Sequence, residues 1–378
     1  MTSLRGLTWD HPRGRAPLVA LGQRSGPSGE AAVEWSARSL QAFADCPLEQ
    51  LVADYDLLII DHPHIPVVAG DELLFPLDGA GHEPQRELLA MQSIGASYQS
   101  YEHAGHLWAL PIDAAAQVSV HRPDLLSDVP ANWDDVLDLA RDGRVLWPTK
   151  PVDAMSSFLT LVAQQGGVIC ASPDTFLDGD LGLAVLEFMI RLSELIDPAA
   201  RDDDPIDTAE RLVAVDQWVY APLLFGYVNY SREGFRPHRL AFRNIPLGRQ
   251  GVKGSCLGGA GIAVSARSEH VEEAVDVAYW LSSAAIQAGP YYRHGGQPAN
   301  AVAWDDPDVN ADCWDFFSGT RATLEGAVVR PRERAWLGLQ ETLGDLVHGV
   351  LLRRVSPTEC LRRLDVARQA CAATGGES

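Results

Sequence analysis

The sequence predicts an α/β fold in which mostly parallel sheets are flanked by helices. Short apolar runs alternate with longer amphipathic ones through the first part of the chain, the pattern of βαβ units. "DLLIIDHP" (56–63) is apolar on both faces and too short for a helix, as a buried central strand must be. With 378 residues, 46% hydrophobic and 21% charged, the chain can bury a large core, and its length favours two globular units over one.

In order, "LRGLTW" (4–9) reads as a strand, "APLVALGQR" (16–24) as a helix, "AAVEWSAR" (31–38) as a strand and "PLEQLVADY" (47–55) as a helix. "HLWALPIDAAAQVSVHRPDLL" (106–126) reads as extended structure that turns near Pro111 and again near Pro123. From about residue 123 helices dominate. "ANWDDVLDLARDG" offers Asn132 as N-cap, Asp135 at the third helical position and Gly143 as the stop. "PVDAMSSFLTLVAQQGG" and "GDLGLAVLEFMIRLSELI" follow as helices, and after an acidic loop "TAERLVAVDQWVYAPLLF" (208–225) reads as one more. "HRLAFRNIP" and "GGAGIAVSA" are strand-like. "SEHVEEAVDVAYWLSS" takes Ser268 as N-cap, and "SPTECLRRLDVARQAC" takes Ser356, with Pro357 first and Glu359 completing a capping box. "TGGES" closes the chain as a frayed tail.

A formal charge of -21 argues against a nucleic-acid or anionic-membrane partner, whose binding depends on clustered cations, and Lys150 and Lys253 are the only lysines. No run approaches the ~18 apolar residues of a membrane span. Cys46, Cys170, Cys256, Cys313, Cys360 and Cys371 are scattered without a CxxC, which favours buried thiols over disulfides or zinc. "GRQGVKGS" has its glycines and lysine in the wrong order for a phosphate loop, and "GGAGIAV" precedes its strand and lacks the third glycine of a dinucleotide fingerprint. Neither a G-x-S-x-G elbow nor HExxH is present. The expectation is therefore no cofactor and no metal. As written, "MTSLRGLTWDHP" carries no secretory signal, so the expected compartment is cytoplasmic, or extracellular or periplasmic if a leader has been removed.

Two strands end in the same triplet, Asp10-His11-Pro12 and Asp61-His62-Pro63. In an open α/β sheet, ligands gather outside the carboxyl ends of the strands. If the first and third strands are neighbours, Asp10, His11, Asp61 and His62 share one rim, flanked by Trp9, Arg13, His64 and Trp35. Three readings stay open: strand-ending turn chemistry, a metal site, and polar recognition or acid/base work in a cleft. The metal reading is weakened because adjacent strand residues face opposite ways. Aromatic residues recur near strand ends, and a cluster of them would suit a sugar or another ring-bearing polar solute. "FGYVNYSREGFRPHRL" is the densest polar and aromatic stretch, offering Tyr227, Asn229, Tyr230, Ser231, Arg232, Arg236 and His238 either as ligand groups or as a surface loop.

"YDLLIIDHPH", "LLFPLD", "LWALPIDAAAQVSVHRPDLL", "PANWDDVLDLA", "GGAGIAVSARSEHVEEAVDVAYWLSS" and "GGQPA", in that order, resemble the family 1 extracellular solute-binding proteins of ABC importers. The resemblance implies a two-lobe periplasmic-binding-protein-like fold of type II with a cleft between lobes. Residues 1–118 would form the first lobe, 119–244 the second and 245–320 a return to the first, with C-terminal helices at 321–378 packing across both. It also implies a small-molecule ligand bound by hinge closure, contacts from Asp113 and Gly259 besides those above, a monomer, and an ABC permease as partner only if the chain is exported. Tyr227–His238 would close from the opposite lobe. The family's receptors carry a signal peptide, which this sequence as written lacks. The leading expectation is a binding protein for a carbohydrate, a polyol or a small acid. The alternative is a cofactor-independent cytosolic lyase, isomerase or cyclase using Asp10, His11, Asp61 or His62 in acid–base roles.

Overall fold

A computed structural model describes residues 2–23, 25–27, 29, 31–39 and 48–375; Cys46 and the last three residues of the expected tail lie outside these. In chain order the elements are β1 (Thr2–Trp9), α1 (Pro12–Leu21), β2 (Ala31–Arg38), β3 (Leu57–Ile60), α2 (Ile65–Gly70), β4 (Leu74–Phe75), α3 (Glu83–Gln92), β5 (Glu102–His103), β6 (His106–Leu107) and β7 (Leu110–His121). There follow α4 (Trp133–Arg141), α5 (Pro151–Gln164), α6 (Gly179–Leu195), α7 (Pro205–Ala214), β8 (Tyr220–Phe225), β9 (Ala241–Arg243) and β10 (Leu257–Ser265). The remainder is helical: α8 (Val271–Ser282), α9 (Ala284–Ile286), α10 (Ala301–Asp305), α11 (Pro307–Asp312), α12 (Phe316–Glu325), α13 (Trp336–Leu351) and α14 (Pro357–Gly375).

Two compact units result. The first comprises Met1–Ala115, Tyr227–Asn229 and Leu257–Ser318; the second comprises Ala116–Gly226, Tyr230–Cys256 and Gly319–Ser378. The return to the first unit thus comes at Leu257 and not at residue 245. The C-terminal helices, expected to pack across both units, cluster with the second. Gly344 lets α13 lie against the start of α5: a Cβ there would come within 2.8 Å of the Pro151 carbonyl oxygen.

In the first unit β1 lies between β2 and β3 and is parallel to both, with Thr2 opposite Ala31 and Gly6 opposite Leu57. The first and third strands are therefore neighbours, and both triplets leave the same edge of the sheet. β10 runs antiparallel to β3 and to β4. In the second unit β8 and β9 both pair antiparallel with the later part of β7. The expected parallel pairing holds for β2-β1-β3, whereas β3–β10, β4–β10, β7–β8 and β7–β9 are antiparallel. β10 returns after a long excursion, so no right-handed crossover dictates its direction. Leu4, Leu57, Ile60 and Ile262 are buried in the first unit's core.

Several elements differ from expectation for local reasons. Of "PLEQLVADY", Pro47 lies outside the described residues, and the rest forms the short 3-10 turn Leu48–Gln50 and further turns. "TAERLVAVDQWVYAPLLF" divides: α7 ends at Ala214, and Tyr220–Phe225 is a strand, Pro222 being disfavoured in a helix interior because it has no N–H to donate. Pro111 does not turn the chain, because the second position of β7 needs no turn to accept proline. Ser268 is not the N-cap of α8. Its hydroxyl donates to Asp56 at 2.6 Å and accepts from the His270 N–H, and the helix begins after His270. The α4 reading holds in full, with the Asn132 capping box present and Gly143 at φ +69°.

Candidate functional site

The first triplet opens α1 four residues earlier than expected. Pro12 takes the first helical position, where its fixed φ suits the helix and its missing N–H costs nothing. His11 is therefore the N-cap, and its Nδ1 accepts the Arg13 N–H at 3.0 Å. This start turns the Arg13 side chain inward. Its Nε donates to Asp113 Oδ2 at 2.7 Å and its Nη2 to Asp113 Oδ1, a fork in which both partners are buried. Burial lifts the Asp113 carboxyl above its usual range while the Arg13 charge and hydrogen bonds pull it back. Burial likewise opposes the Arg13 charge, but Asp113 outweighs it and holds the guanidinium above its ordinary value.

Tyr227 completes this group. The Arg13 guanidinium carbon lies 4.5 Å from the Tyr227 ring centroid, and the His11 ring meets the same ring edge-on with centroids 4.7 Å apart. The chain enters the first unit for only three residues here, Tyr227–Asn229, so Tyr227 and Asn229 belong with Arg13 and Asp113 and do not come from the opposite unit. The segment "GGQPA" anchors them. Gln297 Oε1 accepts the Val228 N–H at 2.9 Å, and its Nε2 donates to the Ala114 carbonyl at 2.8 Å. Asn229 Nδ2 donates to the Gly295 carbonyl at 3.0 Å. Gly295, at φ +99°, supplies a backbone that other residues rarely adopt. Gly296 packs flat on Tyr291, whose ring would lie 2.3 Å from a Cβ there.

Asn229 Oδ1 and the Tyr291 hydroxyl are buried with no hydrogen-bond partner among the described residues. Tyr291 ends the π-helical turn Gln287–Tyr291. Burial, then the Asp113 charge, raises its hydroxyl well above the usual phenol range, so it stays protonated and able to donate. One acceptor, one donor, a cation–carboxylate fork and an aromatic ring thus belong to one compact unit. That set matches a molecule whose groups both donate and accept, as hydroxyls do.

The second triplet folds differently. Asp61 accepts the His62 N–H at 2.8 Å and caps the 3-10 turn His62–His64, with His62 Nδ1 3.1 Å from the same carboxylate oxygen. His62 and His64 are buried. Asp10 turns outward: its carboxylate is 62% exposed and faces Arg15 at 3.3 Å. Among the described residues no group of three or more His, Cys, Asp or Glu could hold a metal.

Other candidates have packing roles. Trp9 and Trp35 are core, each lying on a glycine: a Cβ at Gly14 would come within 2.3 Å of Trp9, and one at Gly6 within 2.5 Å of Trp35. Gly259, at φ +115°, allows β10 to approach the Asp113 carbonyl, where a Cβ would stand 2.3 Å away. In the second unit the Tyr230 hydroxyl donates to Glu210 at 2.7 Å, and Arg236 grips the same carboxylate. That segment folds on itself as Ser231 donates to the Leu240 carbonyl, and Arg232 is half-buried within it. Gln297 and Tyr291 were missed as site residues. "GGQP" was the available signal, since two adjacent glycines before a glutamine and a proline mark a backbone held at close quarters.

A scan against protein-family models finds no match. Among solved structures the chain is similar to maltose-bound MalE3 of T. maritima, at 16% identity and TM-score 0.84 over 98% of this chain and 100% of that one. It is similar to an ABC transporter solute binding protein from Agrobacterium radiobacter K84 in complex with ribitol, at 19% identity and TM-score 0.81 over 98% of each chain. The GacH receptor of Streptomyces glaucescens, described unliganded and with acarbose, matches at 15% identity and TM-score 0.80 over 99% of each chain. Among the described residues no helix is long and apolar enough to cross a membrane. The chain has the α/β fold of the ABC-type solute-binding proteins.

Proposed function

We propose that this chain is a solute-binding protein for a small polar molecule, a carbohydrate or polyol in the first place and a small acid in the second. The observation that carries the reading is the grouping of Arg13, Asp113, Tyr227 and Asn229 in one unit with two buried polar atoms, Asn229 Oδ1 and Tyr291 Oη, left without protein partners. A buried acceptor and a buried donor of this kind cost free energy unless a ligand or water satisfies them, so a hydroxylated solute gains where an apolar one would not. The Arg13–Asp113 fork fixes the polar wall before the ligand arrives, which lowers the ordering cost of binding. The similar structures hold maltose, ribitol and acarbose, all polyhydroxylated, in agreement with this chemistry. Delivery to the permease of an ABC importer follows if the chain is exported.

A thermal-shift screen of maltose, longer maltodextrins, ribitol, other polyols and small carboxylic acids tests the reading. A true ligand at 100 times its Kd adds about 2.7 kcal/mol and raises Tm by several degrees. A screen in which none of these solutes moves Tm counts against it.

A further inference from the structure

Among the described residues the cysteines fall into two classes. Cys256, Cys313 and Cys360 are buried, as the sequence suggested, whereas Cys170 and Cys371 are partly exposed. Both belong to the second unit, Cys170 in the loop after α5 and Cys371 in α14. A ladder of contacts sets their register. Asp365 Oδ1 accepts the Phe176 N–H at 2.8 Å, Gln369 Nε2 donates to the Asp174 carbonyl at 3.0 Å, and Arg368 Nε donates to the Ser172 carbonyl at 3.1 Å. These three bonds hold the Asp365–Gln369 turn of α14 against loop residues 172–176. Cys371 lies one turn beyond Arg368 on the same helix face, and Cys170 lies two residues before Ser172, the partner of Arg368. The loop is pinned there by the Cys170 N–H, which donates to the Phe176 carbonyl at 2.7 Å. Arg368 is an electrostatic neighbour of both thiols, and the two thiols are neighbours of each other.

We propose that Cys170 and Cys371 form an intramolecular disulfide that fastens α14 to the loop after α5, closed by thiol–disulfide exchange with a small-molecule disulfide. The Cys371 thiolate attacks one sulfur of the oxidant and expels the other as a thiolate. The Cys170 thiol, whose pKa burial raises to about 11, gives its proton to solvent base as it attacks Cys371 Sγ of the mixed disulfide and expels the second thiolate, so closure is faster at alkaline pH. Two protein thiols lose two protons and two electrons, and the oxidant disulfide becomes two thiols. The bond closes a loop of about 200 residues, so its entropic effect on the unfolded chain is large.

The test is incubation of the reduced full chain with oxidised glutathione, alkylation of remaining thiols, and peptide mass spectrometry without reductant. A peptide pair joined through Cys170 and Cys371 is expected, reversed by dithiothreitol and absent from Cys170→Ser and from Cys371→Ser. Tm of the oxidised wild type should rise by about 5 °C over the reduced form. The proposal is overturned if both cysteines are recovered alkylated, if either ends as a stable glutathione adduct, or if either is joined to another cysteine or another chain. The wild-type measurement does not depend on either variant folding.

Discussion

Among the buried aspartates, Asp113 of the first unit and Asp153 of the second are met differently. Asp113 faces the Arg13 guanidinium fork, so burial is answered by charge and by two hydrogen bonds. Asp153 sits in the first turn of α5, 3% exposed, with Oδ2 lacking a hydrogen-bond partner among the described residues. Burial, then the nearby Asp204 charge, lifts its carboxyl to about 8 although Lys150 opposes them. A helix N-terminus normally favours a carboxylate, but desolvation is the larger effect here. Burial alone therefore does not decide the charge of an aspartate. A cation within hydrogen-bonding reach offsets part of the desolvation, as Arg13 does for Asp113.

Breaking the first member of the comparison should have the largest effect. Arg13→Ala or Asp113→Ala leaves a buried charge unanswered and should cost about 3–5 kcal/mol in chemical denaturation. The double replacement Arg13→Met with Asp113→Leu should cost clearly less than either single change, because no lone charge remains. Altering the second member should act in the opposite direction. The Asp153 pKa is raised in the fold, so its stabilising effect is complete below the unfolded value near 4 and is lost as pH rises toward 8. Asp153→Asn should therefore stabilise the protein by about 1–3 kcal/mol at pH 8 and change little near pH 4, read from unfolding curves at the two pH values. The two triplets give a smaller contrast. His11→Ala and Asp61→Ala each remove a cap and should cost about 1 kcal/mol. Asp10→Ala, which removes only an exposed pair with Arg15, should stay within about 0.5 kcal/mol.

The triplets also show how far the sequence could be read. That both triplets end strands followed from strand length and apolar pattern; that they share one edge was expected if the first and third strands are neighbours, and the β1–β3 pairing meets that condition. Which side chain turns inward did not follow, because the helical start differs by one residue: His11 caps α1, whereas Asp61 caps its turn. That one-residue offset brings Arg13 in and leaves Asp10 outside. The Arg13–Asp113 fork spans a hundred positions, and the visit of Tyr227–Asn229 to the first unit is only three residues long. Neither leaves a periodic trace. Tryptophans near strand ends suggested ligand platforms, but the glycines that receive them, Gly6 and Gly14, mark core packing.

The central claim is that the Arg13–Asp113–Tyr227–Asn229 group recognises a polyhydroxylated solute. Isothermal titration of wild type and Asn229→Ala, with the sugar or polyol that most raises Tm, tests it most directly. The account predicts at least a tenfold loss of affinity, about 1.4 kcal/mol, at a temperature where both proteins are fully folded, alongside a lower unfolding midpoint from loss of the Asn229–Gly295 hydrogen bond. Equal affinities in two well-folded proteins would contradict it.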